Sequence, residues 1–297
     1  MRAEKIERQS LYSEVTDRII AELEEGRLPW VQPWDSAACG CTMPQNAGTG
    51  RKYSGINVLI LWAEVVHRGF ASQRWLTYRQ AAAAGGNVCR GEKGTIICYA
   101  DRFTPKAEAE AARGEDREAR QVAFLKRFTV FNVEQCEGLP EAFTPEAVAV
   151  DPVLAIDEAD ALIAASDASF QIGGGEAFYS PSHDFVQVPP QAAFPEPINW
   201  YRTALHELGH WTGHGTRLDR DQKGGFGSEA YAKEELVAEM AAAFTCASLG
   251  IAPTVRHSDY IASWLSVLRG DDKAVFRAAS QASKATDFLL ALAEAEQ

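Results

Sequence analysis

One octapeptide constrains this chain more than any other stretch: Thr203-Ala204-Leu205-His206-Glu207-Leu208-Gly209-His210. On a helix, residues four apart share a face, so His206 and His210 can grip one metal ion together. Glu207 lies between them and can serve as general base toward a water in the same space. Pro197 favours a helix start near Ile198, because a first-turn N–H has no helical partner to lose. Ile198, Tyr201, Leu205 and Leu208 then recur at helical spacing, and Gly213 and Gly215 mark the expected end. The motif therefore falls inside an amphipathic helix. A pair of solvated surface histidines is the plainer alternative.

A catalytic zinc takes three protein ligands and keeps a fourth position open. A third histidine six residues after the second would complete one familiar spacing, but that position is Thr216. His214 comes too early and falls at the glycine break, which makes it a second-shell or surface residue and only a backup ligand. The better source is a second helix, Tyr231 to Phe244, ending near Gly250. Glu235 and Glu239 share one of its faces, flanked by Ala238 and Ala242. Two carboxylates on a packed face are costly unless paired or metal-bound. Glu235 is read as the third ligand, with Glu239 holding a ligating histidine by its other nitrogen. The two roles can be exchanged, and Glu234 and Glu235 can instead form a solvated face. The expected ion is Zn2+, with Mn2+ as the alternative.

Such a site suits hydrolysis of a peptide bond, with Glu207 moving the proton. His257 and Tyr260 open the following helical segment and are candidates for the oxyanion donor. Upstream, residues 177–189 read as two short strands around a turn, with Pro181 and Asp184 in the turn and Pro189 and Pro190 suggesting an edge. A sheet edge there could hold an extended peptide; a structural hairpin is the alternative.

The chain's 297 residues suggest two domains, and its net charge of -12 argues against a polyanion binder throughout. The charge is unevenly spread. Residues 51–102 hold 8 basic residues against 3 acidic ones, whereas the metal-site half is acidic. Six cysteines occur without a C-x-x-C pair, consistent with a reduced, cytoplasmic protein. The N-terminus lacks an apolar signal core, and no run is apolar enough to span a bilayer. Glycine and prolines break the pattern at 137–150, dividing the chain into 1–136, a linker, and 151–297. A stretch at roughly 104–121 reads as an insertion or an exposed helix.

The first domain interleaves aromatic and basic groups. An opening helix spans about Ile6 to Leu23, followed by Trp30 and Trp34 among prolines. Next comes a glycine-rich segment with Arg51, Lys52, Tyr53 and Asn57, suited to phosphate approach. A helix through Trp62 follows, then Arg74 and Trp75, then Lys93 leading into a strand, Thr95 to Tyr99, whose later partner is Phe128 to Val133. Flat aromatics beside cations suit single-stranded nucleic acid, bound without strong sequence preference. Tryptophans of this kind are as often core. The missing Gly-Lys-Ser/Thr ending excludes a P-loop.

Taken together, Pro29-Trp30-x-x-Pro33-Trp34, Tyr53-Ser54-Gly55-Ile56-Asn57, Trp75-x-Thr77, Gly91-Glu92-Lys93-Gly94 and Phe131-Asn132-Val133, with His206 through His214, resemble the ArdC antirestriction proteins of conjugative plasmids. The resemblance covers nearly the whole chain. It implies an α+β protein of two domains. The first would be an α/β single-stranded-DNA-binding domain, similar to the start of plasmid TraC primases. The second would be a mainly helical zincin-like metalloprotease domain with a small antiparallel sheet. It also implies protection of incoming plasmid DNA from host restriction, with an unknown protein substrate for which a component of the host restriction system is a candidate. Glu235-x-x-Ala238-Glu239 resembles the Glu-x-x-Ala-Asp motif of related zincins, with glutamate replacing the usual aspartate. A non-enzymatic DNA-binding shield with a structural or idle metal site is the competing reading.

Overall fold

A computed structural model of the chain describes residues 10–31, 42–114, 117, 119–120, 122–143, 152–225, 227–252 and 260–295. Trp34 and His257, singled out above, lie outside them, as does the stretch 144–150 of the expected linker. Among the described residues, no helix is long and apolar enough to cross a membrane.

The N-terminal half starts with helix α1 (Leu11–Glu24), capped by the Ser10 hydroxyl. After β1 (Gln45–Asn46) comes α2 (Ile56–Arg68), whose Val58, Leu61, Trp62 and Val65 are fully buried. Gly69 ends α2 in the left-handed conformation (φ 69°), which glycine adopts without a Cβ penalty. Then follow β2 (Arg74–Leu76), α3 (Tyr78–Ala83), β3 (Asn87–Val88) and β4 (Thr95–Phe103). The expected insertion contains a helix, α4 (Lys106–Gly114), before the long strand β5 (Val122–Asn132). The main sheet runs β1-β2-β5-β4, with β1 parallel to β2 and the other pairs antiparallel.

Residues 137–143 were expected in the linker, yet they belong to this half. Strand β6 (Cys136–Glu137) pairs with β3, and Leu139 and Phe143 pack on Leu76, Ala81 and Val133. Apolar side chains at 139 and 143 hold the segment down despite Gly138 and Pro140.

The C-terminal half is mainly helical: α5 (Pro152–Ala165), α6 (Pro197–Trp211), α7 (Glu229–Ser248), α8 (Ile261–Gly270) and α9 (Ala274–Ala295). Among the described residues its sheet has three strands, β7 (Ser169–Ile172), β8 (Phe178–Ser180) and β9 (Phe185–Val188), in the order β7-β9-β8. Strand β9 pairs with β8 antiparallel and with β7 in parallel. Pro189 and Pro190 therefore follow the central strand, and the edge beside the hairpin is β8. The prolines misled because they lie past the last paired residue, Val188, where no ladder N–H is required.

The largest core crosses from one half to the other. Leu23, Trp30 and Trp62 from the first share it with Leu236, Phe244, Trp264 and Val275 from the second. Trp30 meets Trp264 edge-on at 5.2 Å between ring centroids, and Trp62 meets Phe244 at 5.6 Å. Polar ties reinforce the contact: Thr16 Oγ1 donates to the Asp272 carbonyl at 2.7 Å, and the Gly55 N–H to Ser283 Oγ at 2.8 Å.

Candidate metal centre

Pro197 occupies the first turn of α6, as its missing donor dictates, and the helix continues through the motif to Trp211. Leu205 and Leu208 turn into a second core with Leu162, Val186 and Val188, leaving His206, Glu207 and His210 on the side facing α7. The two helices cross closely because small residues meet there. A Cβ placed on Gly209 would lie 3.3 Å from the Ala238 carbonyl oxygen and 3.5 Å from the Ala241 Cβ.

This crossing brings the acids of α7 to the imidazoles of α6. Glu235 Oε1 is 3.4 Å from His210 Nε2, and Glu235 Oε2 is 3.7 Å from His206 Nε2. One ligand atom from each of His206, His210 and Glu235 lies within 4.8 Å of the others. The two rings stand nearly perpendicular, with centroids 4.9 Å apart. Glu239, one turn on, faces the other nitrogen of His206, Nδ1, at 3.9 Å. The geometry thus separates the two glutamates whose roles spacing alone left exchangeable.

His210 has its own outer partner, which sequence reasoning missed. Glu234 Oε1 lies 3.3 Å from His210 Nδ1, and Arg220 grips the same carboxylate through Nε (3.0 Å) and Nη2 (2.7 Å). Arg220 also donates to the Gly209 carbonyl at 2.6 Å and to Thr212 Oγ1 at 2.8 Å. Gln222 adds bonds to the His210 carbonyl (2.7 Å) and to Glu234 (3.1 Å). The loop after α6 can fold back this tightly because Gly213 has no side chain. A Cβ there would come within 2.7 Å of Arg220 Nη2. Glu234 is therefore neither solvated nor idle; it is a buried anion, paired and hydrogen-bonded.

Burial disfavours a charged His210, yet the hydrogen bonds it donates to Glu234 and Glu235 prevail and push it up to about 10. Burial likewise opposes the charge on Glu235, and the two histidines pull it well below the usual carboxylate range.

The imidazoles, Glu207 and Glu235 line an open cavity of about 300 Å³. Tyr231 and Tyr260 also line it, their hydroxyls 3.1 Å apart. Burial raises the Tyr231 hydroxyl far above its ordinary value, and Tyr260 and Glu235 raise it further, so it remains a donor. Tyr231 stands one turn before Glu235 on α7, a spacing from which it could have been found. Ala177, Phe178 and Tyr179, on and before β8, the edge strand among the described residues, form another wall. His214 is turned elsewhere: its Nδ1 meets Thr216 Oγ1 at 2.9 Å and lies 4.0 Å from Asp184. It is no backup ligand, because the chain has already left the helix and turned away from the imidazole pair.

The aromatic and basic residues of the N-terminal half are less concentrated than their sequence suggests. Trp30 and Trp75 are fully buried and cannot stack on a base; burial of a large apolar surface claimed both. Asn57 spends its amide on the β4 backbone, accepting from the Cys98 N–H at 2.8 Å and donating to its carbonyl at 2.7 Å. Arg74 donates to the Ala142 carbonyl at 2.8 Å, and Tyr53 is half-buried against the main core. Arg51, Lys52 and Lys93 are exposed.

A helix bearing H-E-x-x-H crossed by a second helix bearing an acid is the framework of zincin-like metallopeptidases, and residues 157–281 match that family. Residues 9–131 match the N-terminal domain of the anti-restriction factor ArdC. The chain belongs to the ArdC antirestriction family. It superimposes on the crystal structure of the antirestriction protein ArdC from plasmid R388, in both metal-free and Mn(II)-bound forms. The TM-score is 0.80 at 38% identity, covering 97% of this chain and 100% of that one. It is 39% identical to the uncharacterized protein y4eC of Sinorhizobium fredii, covering 94% of this chain and 91% of that protein. It is also 42% identical to a DNA primase TraC of Escherichia coli, across 96% of this chain but only 27% of the primase. The chain thus spans about a quarter of the length of that relative. The zincin-like domain implies a divalent metal.

Proposed function

We propose that this protein is a metal-dependent peptidase tethered to single-stranded DNA, acting to protect incoming plasmid DNA from host restriction. The observation that carries the reading is the convergence of His206, His210 and Glu235 beside Glu207 in an open cavity. Two imidazoles and a carboxylate form a donor set suited to Zn2+, and they also accept Mn2+, the ion in the R388 relative. An ion held there would polarise a peptide carbonyl and acidify water.

The chain's own residues do the rest. Glu239 and Glu234 orient the two imidazoles through their outer nitrogens. Glu207 takes the proton from the attacking water and returns it to the leaving amine. Tyr231 and Tyr260 turn their hydroxyls toward the developing oxyanion. The free edge of β8 aligns an extended peptide by strand addition. Nucleic-acid binding belongs to the N-terminal half, where Arg51, Lys52 and Lys93 offer exposed cations.

Two variants test the reading. Elemental analysis should find a stoichiometric divalent metal in the wild type and a loss of it in His206→Ala. Glu207→Gln should keep the metal and DNA binding, abolish cleavage of a denatured protein, and lose protection of a transferred plasmid. Full protection by that variant would replace the peptidase with the non-enzymatic DNA-binding shield.

A further inference from the structure

The antiparallel ribbon β4–β5 carries two large aromatic rings in water. Tyr99 is 53% exposed and Phe128 is 44% exposed, although apolar residues at neighbouring ribbon positions, Ile97, Cys98 and Val130, are buried. The register explains how they meet. Phe128 pairs with Ile97, and Tyr99 lies two residues further along the same strand and therefore on the same face. Their rings contact edge to face, with centroids 5.8 Å apart. Lys126 pairs with Tyr99 and so joins that face, where its ammonium stands 5.0 Å from the centroid of the Phe124 ring.

On the ring-bearing face Ile97 and Val130 are buried in the main core, so only its Tyr99–Phe128 end is exposed; the opposite face is also held to the fold. Cys98 is buried in the main core, Leu125 packs against that core, and Arg127 reaches Glu14 of α1 at 2.7 Å. Asn57 at the start of α2 pins the β4 backbone at Cys98 from the same body of the protein. The ribbon is thus held at Ile97, Cys98 and Val130, and beyond them one face exposes two aromatic rings and a cation. Exposing that much ring surface gains nothing for folding.

We infer that this face, centred on Tyr99 and Phe128 with Lys126 beside them, is where single-stranded nucleic acid stacks its bases. The inference rests on the DNA-binding reading above and moves the stacking from the buried tryptophans to this ribbon. Every base has a π-face, so rings in open positions bind single strands without sequence preference, whereas paired bases in a duplex cannot reach them. Charge complements this occupant, because Lys126 on the same face can meet a phosphate.

Fluorescence anisotropy with a labelled oligothymidylate, on the full chain, provides the test. The double variant Tyr99→Leu/Phe128→Leu keeps apolar bulk on the strands but removes both π-faces, and should raise Kd about tenfold or more. Tyr99→Trp/Phe128→Trp should bind as well as the wild type, which a merely structural role would not predict. Lys126→Ala should reduce the slope of log K against log salt by about 0.7. An unchanged Kd in the leucine pair, beside intact wild-type binding, would overturn the inference and leave the face to a protein partner. Failure of the wild type itself to bind the oligonucleotide would instead bring down the DNA-binding reading, and this assignment with it.

Discussion

Glu234 shows how much one side chain can hold in place. Its carboxylate joins His210 to Arg220, and Arg220 in turn holds the carbonyl of Gly209 within the motif helix. Truncating it to Glu234→Ala leaves the Arg220 guanidinium buried without its anion, a situation that costs about 3–5 kcal/mol. It also removes the orienting contact on one ligand, which lowers metal affinity by about 10- to 100-fold. Chemical denaturation and metal titration should register both losses, while Glu234→Gln, which keeps an acceptor, should lose less of each. In the sequence, Glu234 and Glu235 are adjacent acids near a helix start, and nothing local says that both point inward. Arg220 is fourteen residues away in a loop, so its partnership could be seen only once the loop had folded back.

At the scale of elements, the site depends on how near α6 can come to α7. The crossing is set by Gly209 against Ala238, and any larger side chain must push the helices apart. Gly209→Val should therefore destabilise the protein by about 1–3 kcal/mol and weaken metal binding by more than the stability loss alone would explain. A melting curve with and without added metal separates the two effects. The wall of the cavity is secured differently. Arg217 lies over the Trp211 ring at 3.8 Å and binds Asp184 in the β8–β9 turn, tying the loop after α6 to that hairpin. Arg217 holds the Asp184 carboxyl below its ordinary value of 3.8, against the opposing effect of burial and with help from Tyr179. A depressed carboxyl stabilises the fold above its unfolded value, and that contribution disappears as pH falls through the folded one. Because Asp184 is partly exposed, the contribution is no more than about 1 kcal/mol. Stability measured from neutral pH to below 3.8 should fall less steeply in Asp184→Asn than in the wild type.

For the whole molecule, the shared core decides how the two halves behave. Trp30 and Trp62 of the N-terminal half pack on Trp264 and Phe244 of the C-terminal half, and α7 carries both Phe244 and Glu235, the acid proposed as a ligand. A fragment comprising 151–297 alone would expose that apolar surface and should aggregate or lose its metal, as gel filtration would show. In the intact chain, circular dichroism and tryptophan fluorescence should report a single coincident thermal transition. Two separate transitions would show that the halves fold independently despite the common core.

The motif helix, its start at Pro197, the second acidic helix and the pairing of two N-terminal strands were legible because their signals are local, although the strands run longer than read, to Phe103 and from Val122, and Val133 lies past the end of the second. Helical spacing, a proline at a helix start and alternating strand residues each act within a few positions of one another. The different imidazole nitrogens that Glu235 and Glu239 face, the inward turn of Glu234, the parallel strand β7 and the burial of Trp30 and Trp75 were decided only by tertiary packing. In each of these cases the deciding partner is remote in the chain, so the chemistry of a carboxylate or an indole was known from its letter while its surroundings were not. A ring at position 30 and a ring at position 99 read alike; one found a tryptophan to pack against, and the other remained in water.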